Sequence, residues 1–580
     1  MNTYYTSEKN VQILIALLKA HGIKKIVASP GATNITFVAS IQQDPYFEIF
    51  SAIDERSAAY IACGMAAESG EPVVLSCTGA TASRNYLPGL TEAFYRKLPI
   101  LAVTSTQHIG RIGQNFPQVI DRTNCLNDTA KISVQVPNIC SDEDEWACQI
   151  SINKAILELF RNGGGPAHIN LATSYSKDFS IKTLPRVKVI KRIQYNDTFP
   201  DISNKKVAIF VGSHKKWTTQ FTEIVDEFCE KYNAIVICDH TSNYKGKYGV
   251  LSNLVFWQES YLSQNRFIDL VIDIGNVSGG YVNINLKEAW RINPDGEIRD
   301  SFKKLTYIFQ MNEIDFFKHY NDLKSNKEDL SFYKDLHNEY NNILSHIPTL
   351  PFSNIWIAQN SCKLVPENTV LHLGILNTLR AWDFFELSNN ESISVFANTG
   401  GFGIDGNTSS LIGSSLASDK IHIGIVGDLS FFYDMNSIGN RHIGSNMRLM
   451  IINNGVGTEF KNYSHPAARF GEDANDYMAA AGHYGNKSPN LIKSYVQNLG
   501  FKYLTASDKE TYLKNAKEFF SPDKVDYPIC FEVFTNDKDE SDALKLINNS
   551  LSNTASGVKK FAKEVLGEKG FEIAKTIIRR

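Results

Sequence analysis

Several features that would narrow the function of this chain are absent from its 580 residues. The nine cysteines are scattered and form no Cys-x-x-Cys pair, which favours free thiols in a reducing cytoplasm over a disulfide framework. There is no basic block and the net charge is −3, so nothing indicates nucleic-acid binding. No apolar run approaches the roughly 18 residues that cross a bilayer. The start, MNTYYTSEKN, also lacks a signal-peptide pattern, and together these absences predict a cytoplasmic protein without stable membrane association.

What is present is the composition of an ordinary globular protein, with 43% hydrophobic and 21% charged residues. Apolar runs such as PVVLSCTGA, KKVAIFVGS and IHIGIVGD alternate with amphipathic helical segments along the whole chain. Because near-continuous apolar strands alternating with helices are typical of parallel sheets, we expect an α/β fold of three doubly wound parallel-sheet domains. Their predicted limits are residues 1–185, 186–345 and 346–555.

Three less regular segments complete the predicted organisation. Residues 188–200 are polar and poorly periodic, which indicates a linker, and residues 327–347 form a polar helical connector. Residues 556–580 have apolar positions at helical spacing with lysines between them. We expect this tail to be a helix packed on its own dimer, with binding to a membrane surface as the alternative.

The most informative stretch is IHIGIVGDLS followed, one crossover later, by RLMIINNGVG. Asp428 ends the first predicted strand and Asn454 ends the second, 26 residues further on. A right-handed crossover brings both ends to one edge of the sheet, where oxygen ligands suit Mg²⁺. The small residues Gly427 and Ser430 would let a diphosphate approach the backbone and a helix N-terminus. The competing interpretation is a helix cap and an ordinary turn.

This Gly-Asp…Asn-Asn pattern resembles the signature of thiamine-diphosphate enzymes, the superfamily of acetolactate synthase and pyruvate decarboxylase. The form GDLSFxxDxN with NNxxG is most similar to the menaquinone-pathway synthases, which join decarboxylated 2-oxoglutarate to isochorismate. The resemblance implies a pyrimidine-binding, a middle and a diphosphate-binding domain. It also implies that Mg²⁺ is bound by Asp428, the Asn454 side chain and the Val456 carbonyl, with Gly427, Leu429 and Ser430 around the diphosphate.

The same resemblance assigns residues to the cofactor's pyrimidine ring. In DERSAAYIACGMA, Glu55 matches the family's carboxylate, which hydrogen-bonds a ring nitrogen and thereby promotes formation of the reactive ylide. In VVLSCTGA, Gly79 would allow the chain to approach the ring, although it could serve only a turn. In FANTGGFGIDG, Ile404 matches the apolar side chain that wedges the cofactor into a V shape, and the Gly403 carbonyl would accept from the exocyclic amine. Packing in the core is the alternative role for Ile404.

The substrate-binding residues depart from the menaquinone-pathway pattern. Those synthases bind carboxylates with arginines in SPGSR and ADRP stretches, where this chain has SPGATN, with Thr33, and TSTQ. Gln118 in PQVID and Arg380 in LGILNTLRAWD are retained. His465 in NYSHPAARF could supply or relay a proton. As a single arginine and a single loop histidine, Arg380 and His465 could equally be structural.

The function implied is a thiamine-diphosphate- and Mg²⁺-dependent carboligase. It would decarboxylate a 2-oxo acid and join the enamine to an aldehyde or ketone acceptor, in a homodimer or homotetramer. The missing arginines argue against isochorismate as the acceptor. Release of a free aldehyde by simple decarboxylation is the first alternative, and a catalytically silent scaffold subunit is the second.

Overall fold

A computed structural model describes residues 4–280, 282–323, 330–387, 392–483 and 488–551. The chain forms two compact units. The first contains Met1–Phe199 with Ala289–Asn312, and the second contains Pro200–Glu288 with Glu313–Arg580. The predicted C-terminal helix at residues 556–580 lies outside the described residues. Within the described ranges, no helix is both long and apolar enough to cross a membrane.

The described residues contain nineteen strands. In chain order they are β1 Lys25–Ala28, β2 Glu48–Ser51, β3 Val73–Cys77, β4 Ile100–Thr106, β5 Ser133–Val136, β6 Ala167–Ala172, β7 Lys191–Ile193, β8 Val207–Val211, β9 Ile235–Cys238, β10 Gly249–Val250, β11 Phe267–Ile274, β12 Asn285–Ile292, β13 Leu305–Phe309, β14 Thr369–Leu373, β15 Ser394–Phe396, β16 Ile421–Gly427, β17 Met447–Asn453, β18 Lys502–Ala506 and β19 Ile529–Phe534.

The same residues contain seventeen α-helices. They are α1 Lys9–Ala20, α2 Ile35–Ile41, α3 Glu55–Ser69, α4 Thr81–Asn85, α5 Leu87–Tyr95, α6 Asp142–Glu158, α7 Thr219–Tyr232, α8 Asn253–Phe256, α9 Glu313–Asp322, α10 Ser331–Ser345, α11 Asn354–Ser361, α12 Asn377–Trp382, α13 Asn407–Leu416, α14 Asp428–Asp434, α15 Leu491–Asn498, α16 Lys509–Phe519 and α17 Asp537–Ile547.

The strands belong to three parallel sheets, which confirms the predicted fold class. The order β2-β1-β3-β4-β6-β5 in the first unit is repeated as β15-β14-β16-β17-β19-β18 in the second. The two sheets therefore share one topology. The strand order reverses between β1 and β3 in the first sheet and between β14 and β16 in the other. At such a reversal the carboxyl ends of parallel strands leave a crevice for a ligand.

Helices cover both faces of the first sheet. Because successive residues of one strand point to opposite faces, each strand contributes side chains to both helix layers. Ile26 and Val74 join the cluster beneath α1 and α6, whereas Val27 and Leu75 join the cluster beneath α3 and α5. Helix α3 packs closely because its inner face is made of alanines. A Cβ at Gly89 of α5 would lie 2.4 Å from the Cβ of Ala59. This packing fixes the start of α3, where Glu55 lies.

The first unit also takes in residues from much later in the chain. Strands β12, β13 and β7 form a parallel ladder, with Tyr307 opposite Lys191. The Trp146 indole N–H donates to the Asp300 carboxylate at 3.0 Å. The prediction that residues 188–200 form a linker is wrong at Lys191–Ile193, which form a strand. Three residues are too few for an apolar period to be visible in the sequence.

In the second unit, β10, β9, β8 and β11 lie side by side, separate from the sheet formed by β14 to β19. Buried Asn243 connects the two strand sets, since it donates to the Val395 carbonyl at 3.0 Å and accepts the Val395 N–H at 2.8 Å. The predicted connector at residues 327–347 is helical over Ser331–Ser345. The predicted division of the chain into three domains stays a prediction.

Candidate active site

The two motifs singled out in the sequence meet at the carboxyl edge of the sheet in the second unit. Asp428 follows β16 and Asn454 follows the neighbouring strand β17. One Asp428 oxygen accepts the Leu429 N–H and the other accepts the Gly455 N–H, both at 2.8 Å. The carboxylate therefore bridges the ends of both strands, and it is more than a helix cap.

The Asp428 carboxyl is suited to a cation. It is only 4% exposed, and burial raises its pKa to about 6 although the backbone N–H bonds oppose the shift. Two hydrogen bonds leave about half of its lone pairs unused. A buried carboxylate is costly unless a cation or further donors compensate its charge, so a divalent ion fits this position.

The side chains of the Asn453-Asn454 pair have different environments. Asn453 is buried and donates to the Glu532 carboxylate at 2.7 Å, so its role is structural. Asn454 is half-buried, and its amide oxygen has one long contact, 3.4 Å, with the Val456 N–H. Only Asn454 therefore offers an amide oxygen near Asp428 and the Val456 backbone. Within the described ranges no cluster of three His, Cys, Asp or Glu side chains could hold a metal, and the predicted set of one carboxylate, one amide and one carbonyl does not need such a cluster.

The glycine-rich loop that contains Gly403 and Ile404 is attached to α14. The Ile404 carbonyl accepts from the Ser430 hydroxyl at 2.6 Å and from the Asn407 amide at 2.7 Å. Ile404 is half-buried, so it is not a fully packed core residue. The structure thus brings Ile404 next to the helix that begins with Asp428.

Open space borders the start of α14. A Cβ at Gly427 would meet no atom within 4 Å. Helix α14 has only seven residues, so its dipole contributes less than that of a long helix. The room beside Gly427 supports the approach of a diphosphate more directly than the helix does.

In the first unit, Glu55 is the first residue of α3 and lies just after β2, at the carboxyl edge of that sheet. The preceding Asp54 caps the helix by accepting the Ser57 N–H at 2.7 Å. Because Asp54 fulfils the capping role, the half-buried Glu55 carboxylate is not needed for it. This arrangement leaves Glu55 available for a ligand.

Gly79 lies in a close approach of three loops. A Cβ there would be 3.2 Å from the Gln118 carbonyl and 3.3 Å from the Ser105 carbonyl. The Gly79 N–H donates to the hydroxyl of Thr33, which is 2% exposed and itself donates to the Ser105 carbonyl at 2.9 Å. The position at which the motif resemblance leads us to expect an arginine thus holds a buried hydroxyl that joins these loops.

The remaining predicted residues belong to different units. The Gln118 side chain is exposed on a loop of the first unit, with a backbone φ of +63°. Arg380 on α12 and His465 line one cavity of about 210 Å³ in the second unit. His465 Nδ1 accepts the Ala467 N–H at 3.1 Å and caps a 3₁₀ turn, a structural contact that leaves its proposed proton role a prediction.

Two acidic residues around that cavity, Glu459 and Glu540, were not predicted from the sequence. Glu459 accepts from Arg380 Nη1 at 2.8 Å. Glu540 is buried, and burial raises the pKa of its carboxyl to about 7. Both partners of the Arg380–Glu459 pair are distant in sequence, so no local pattern indicates the pair.

Comparison with known proteins agrees with this geometry. Residues 9–125 match the family model of the thiamine pyrophosphate enzyme N-terminal TPP-binding domain, which contains Glu55 and Gly79. A relative from Phocaeicola vulgatus is 30% identical over 568 residues, covering 95% of this chain and 99% of its own. The chain belongs to the thiamine pyrophosphate enzyme family.

The named relatives have one description in common. The Phocaeicola vulgatus protein is a 2-succinyl-5-enolpyruvyl-6-hydroxy-3-cyclohexene-1-carboxylate synthase. Synthases of the same name from Bacteroides fragilis and Flavobacterium psychrophilum are 29% and 27% identical over 572 and 567 residues, covering 95% and 90% of this chain and 100% and 98% of their own. The resemblance inferred from the motifs is confirmed.

Proposed function

We propose that the protein is a thiamine-diphosphate- and Mg²⁺-dependent carboligase. It decarboxylates a 2-oxo acid and joins the remaining fragment to an aldehyde or ketone. One observation carries the proposal. The Asp428 carboxylate is bonded to the Gly455 N–H at 2.8 Å, which places the Gly-Asp and Asn-Asn-Gly motifs at one edge of the sheet.

Each residue would contribute a separate element of the reaction. Bound thiamine diphosphate supplies a nucleophilic carbon and accepts the electrons released with CO₂. Asp428, Asn454 and the Val456 carbonyl would hold Mg²⁺, which would neutralise charge on the diphosphate. Glu55 would hold a proton at the pyrimidine nitrogen, while Gly79, the Gly403 carbonyl and Ile404 would bind the ring. Gln118, Arg380 and His465 are assigned to the substrates.

The acceptor differs from the substrate of the named relatives. In this chain Thr33 occupies the position of one carboxylate-binding arginine, and its hydroxyl is already bonded inside the protein. A hydroxyl cannot replace the bidentate contact of a guanidinium with a carboxylate. This supports an acceptor other than isochorismate. The donor that we propose is a small 2-oxo acid, pyruvate or 2-oxoglutarate.

A two-stage assay tests the proposal. The protein is incubated with thiamine diphosphate, Mg²⁺ and a panel of 2-oxo acids while CO₂ is measured, after which aldehydes and ketones are added and products identified by mass. We expect CO₂ from at least one acid and a ligated product. CO₂ with only a free aldehyde as product would support the decarboxylase alternative.

The scaffold alternative has its own test. Titration with thiamine diphosphate and Mg²⁺, followed by circular dichroism of the bound cofactor, should saturate. An absence of binding would favour a silent subunit. In the proposed assembly, a homodimer or homotetramer in the cytoplasm, Glu55 and Asp428 of different chains serve one cofactor.

A further inference from the structure

The cavity that contains Arg380 lies beyond the carboxyl ends of β14 and β17. Helix α12 follows β14 and carries Arg380, and the turn after β17 carries Glu459. Trp257 and Phe384 form part of an apolar wall, while Asn354 and Asn462 add amides. Aromatic faces together with amides and a few charged groups provide both the apolar area and the oriented polar contacts of a small-molecule site.

Glu459 is fixed from two sides. Its Oε1 accepts from Arg380 Nη1 at 2.8 Å, and the two side chains are 23% and 13% exposed. When the Asn377 amide is oriented so that both of its polar atoms are satisfied, its nitrogen donates to Glu459 Oε2 at 2.7 Å. Its oxygen accepts the Glu459 N–H at 3.0 Å. The carboxylate is therefore held in place, and its charge is directed at Arg380.

The cavity consequently offers no excess positive charge. Among its lining residues, all of them in the described part of the chain, Arg380 is the sole lysine or arginine, whereas Glu459 and Glu540 are acidic. Glu540 accepts the Asn354 N–H at 3.0 Å and the Thr535 hydroxyl at 2.7 Å. With Arg380 and Glu459 cancelling and His465 counted as neutral, the formal charge of the lining is zero or negative.

We propose that Glu459 is a specificity-determining residue that makes this cavity select an uncharged, hydroxyl-bearing carbonyl acceptor and reject a carboxylate-bearing one. The proposal rests on the function proposed above. A hydroxyl group can accept from the Arg380 guanidinium and donate to Glu459 without separating the pair. A carboxylate would have to displace Glu459 from Arg380 and would leave the displaced carboxylate beside it, which is unfavourable in a partly buried site.

The test compares two aldehydes of nearly equal size, 3-(hydroxymethyl)benzaldehyde and 3-carboxybenzaldehyde. With the wild-type protein we expect the neutral aldehyde to have the larger kcat/KM. In Glu459→Gln, which keeps the size but removes the charge, the ratio of kcat/KM for neutral over carboxylated aldehyde should fall at least about tenfold. Most of this change should be a lower KM for the carboxylated aldehyde, because Arg380 can then pair with it.

Glu472→Gln is the matched control. Its side chain is 88% exposed, lies outside the cavity and is 3.9 Å from Lys461 Nζ. It removes one negative charge nearby, so the acceptor ratio should not change. A wild-type preference for the carboxylated aldehyde, or equal ratios in Glu459→Gln and wild type, would overturn the proposal.

Two further measurements separate the possible failures. CO₂ release from the 2-oxo acid without acceptor reports the proposed function alone, so its absence with every acid refutes that function and not the role of Glu459. Calorimetric binding of 1,3-benzenedimethanol and 3-(hydroxymethyl)benzoate to the wild-type protein tests the cavity without catalysis and without a variant. Tighter binding of the neutral compound supports the proposal, and equal or tighter binding of the benzoate contradicts it.

Discussion

The Ser430 hydroxyl donates to the Ile404 carbonyl at 2.6 Å and accepts from the Asn407 amide at 3.0 Å. Ser430 lies on α14, two residues after Asp428, whereas Ile404 belongs to the glycine-rich loop. One side chain thus couples the proposed metal-binding helix to the loop proposed to support the cofactor. The Ile404 carbonyl is therefore bonded to the helix that we propose anchors the diphosphate.

Replacing Ser430 should weaken cofactor binding through this coupling. A neutral hydrogen bond contributes about 0.5–1.5 kcal/mol, so Ser430→Ala should lower the affinity for thiamine diphosphate about two- to twelvefold, measured by titration with Mg²⁺ present. Ser437→Ala removes a similar bond, from Ser437 Oγ to the Asp434 carbonyl at 2.7 Å, outside the loop contact. It should leave the affinity unchanged. Equal affinities in all three proteins would mean that the coupling has no role in cofactor binding.

Glu55→Gln should slow the first chemical step. Glutamine keeps the size and one acceptor, but it cannot stabilise a proton on the pyrimidine nitrogen by charge. A positioned acid or base is worth roughly 10²–10⁴-fold in rate. CO₂ release should fall by that factor whichever acceptor is present, with little change in cofactor affinity. Glu68→Gln, at the exposed end of the same helix, should behave like wild type. Normal CO₂ release with failed ligation would move Glu55 to the acceptor site.

Mixing two inactive variants tests the shared site. Glu55→Gln and Asp428→Ala should each be inactive alone. If one cofactor is held by Glu55 of one subunit and Asp428 of another, a mixed dimer has one intact site. Random reassortment after mild dissociation should then restore about a quarter of wild-type CO₂ release per chain. Sites formed within single chains would give no recovery, and an active monomer in sedimentation would also exclude the shared site.

The cavity carboxyl Glu540 should make stability depend on pH. Its pKa is raised from 4.5 to about 7, first by burial. The folded state therefore binds this proton more tightly than the unfolded state, so the free energy of unfolding should fall as the pH rises from about 4.5 to about 7. Glu540→Gln should remove that part of the decline.

Urea unfolding midpoints at pH 5 and pH 8 measure this effect. Relative to wild type, Glu540→Gln should gain stability on going from pH 5 to pH 8. The control is Glu510→Gln, on the exposed face of α16. Its urea midpoint should change between pH 5 and pH 8 by the same amount as that of wild type. A Glu540→Gln midpoint that changes with pH as wild type does would show that Glu540 does not titrate in this range.

Local sequence patterns predicted the buried strands, because each strand depends on residues that are close together in the chain. Strands such as β3, β16 and β17 are buried on both faces and appear as continuous apolar runs. Strand β7 was missed because it has three residues, and two of these are charged. The positions of Asp428 and Asn454 followed from the same parallel-sheet rule, because strand ends share an edge.

The cavity could not be predicted in this way. Glu459 and Arg380 are 79 residues apart, and no local sequence pattern connects one to the other. Thr33 was recognised only as the absence of an arginine. Its bond to the Ser105 carbonyl, 72 residues away, depends on how three loops converge above the sheet. Such contacts follow from tertiary packing and not from any periodic pattern.

The bond between Trp146 and Asp300 also sets an order of events during synthesis. Its two residues are 154 positions apart, and the first unit needs Ala289–Asn312 as well as its N-terminal part. At the usual 5–20 residues per second, the ribosome delivers Asp300 about 8–30 s after Trp146. During that interval the edge of the first unit that receives this segment is uncovered in the nascent chain, and it can associate with other chains until the segment arrives.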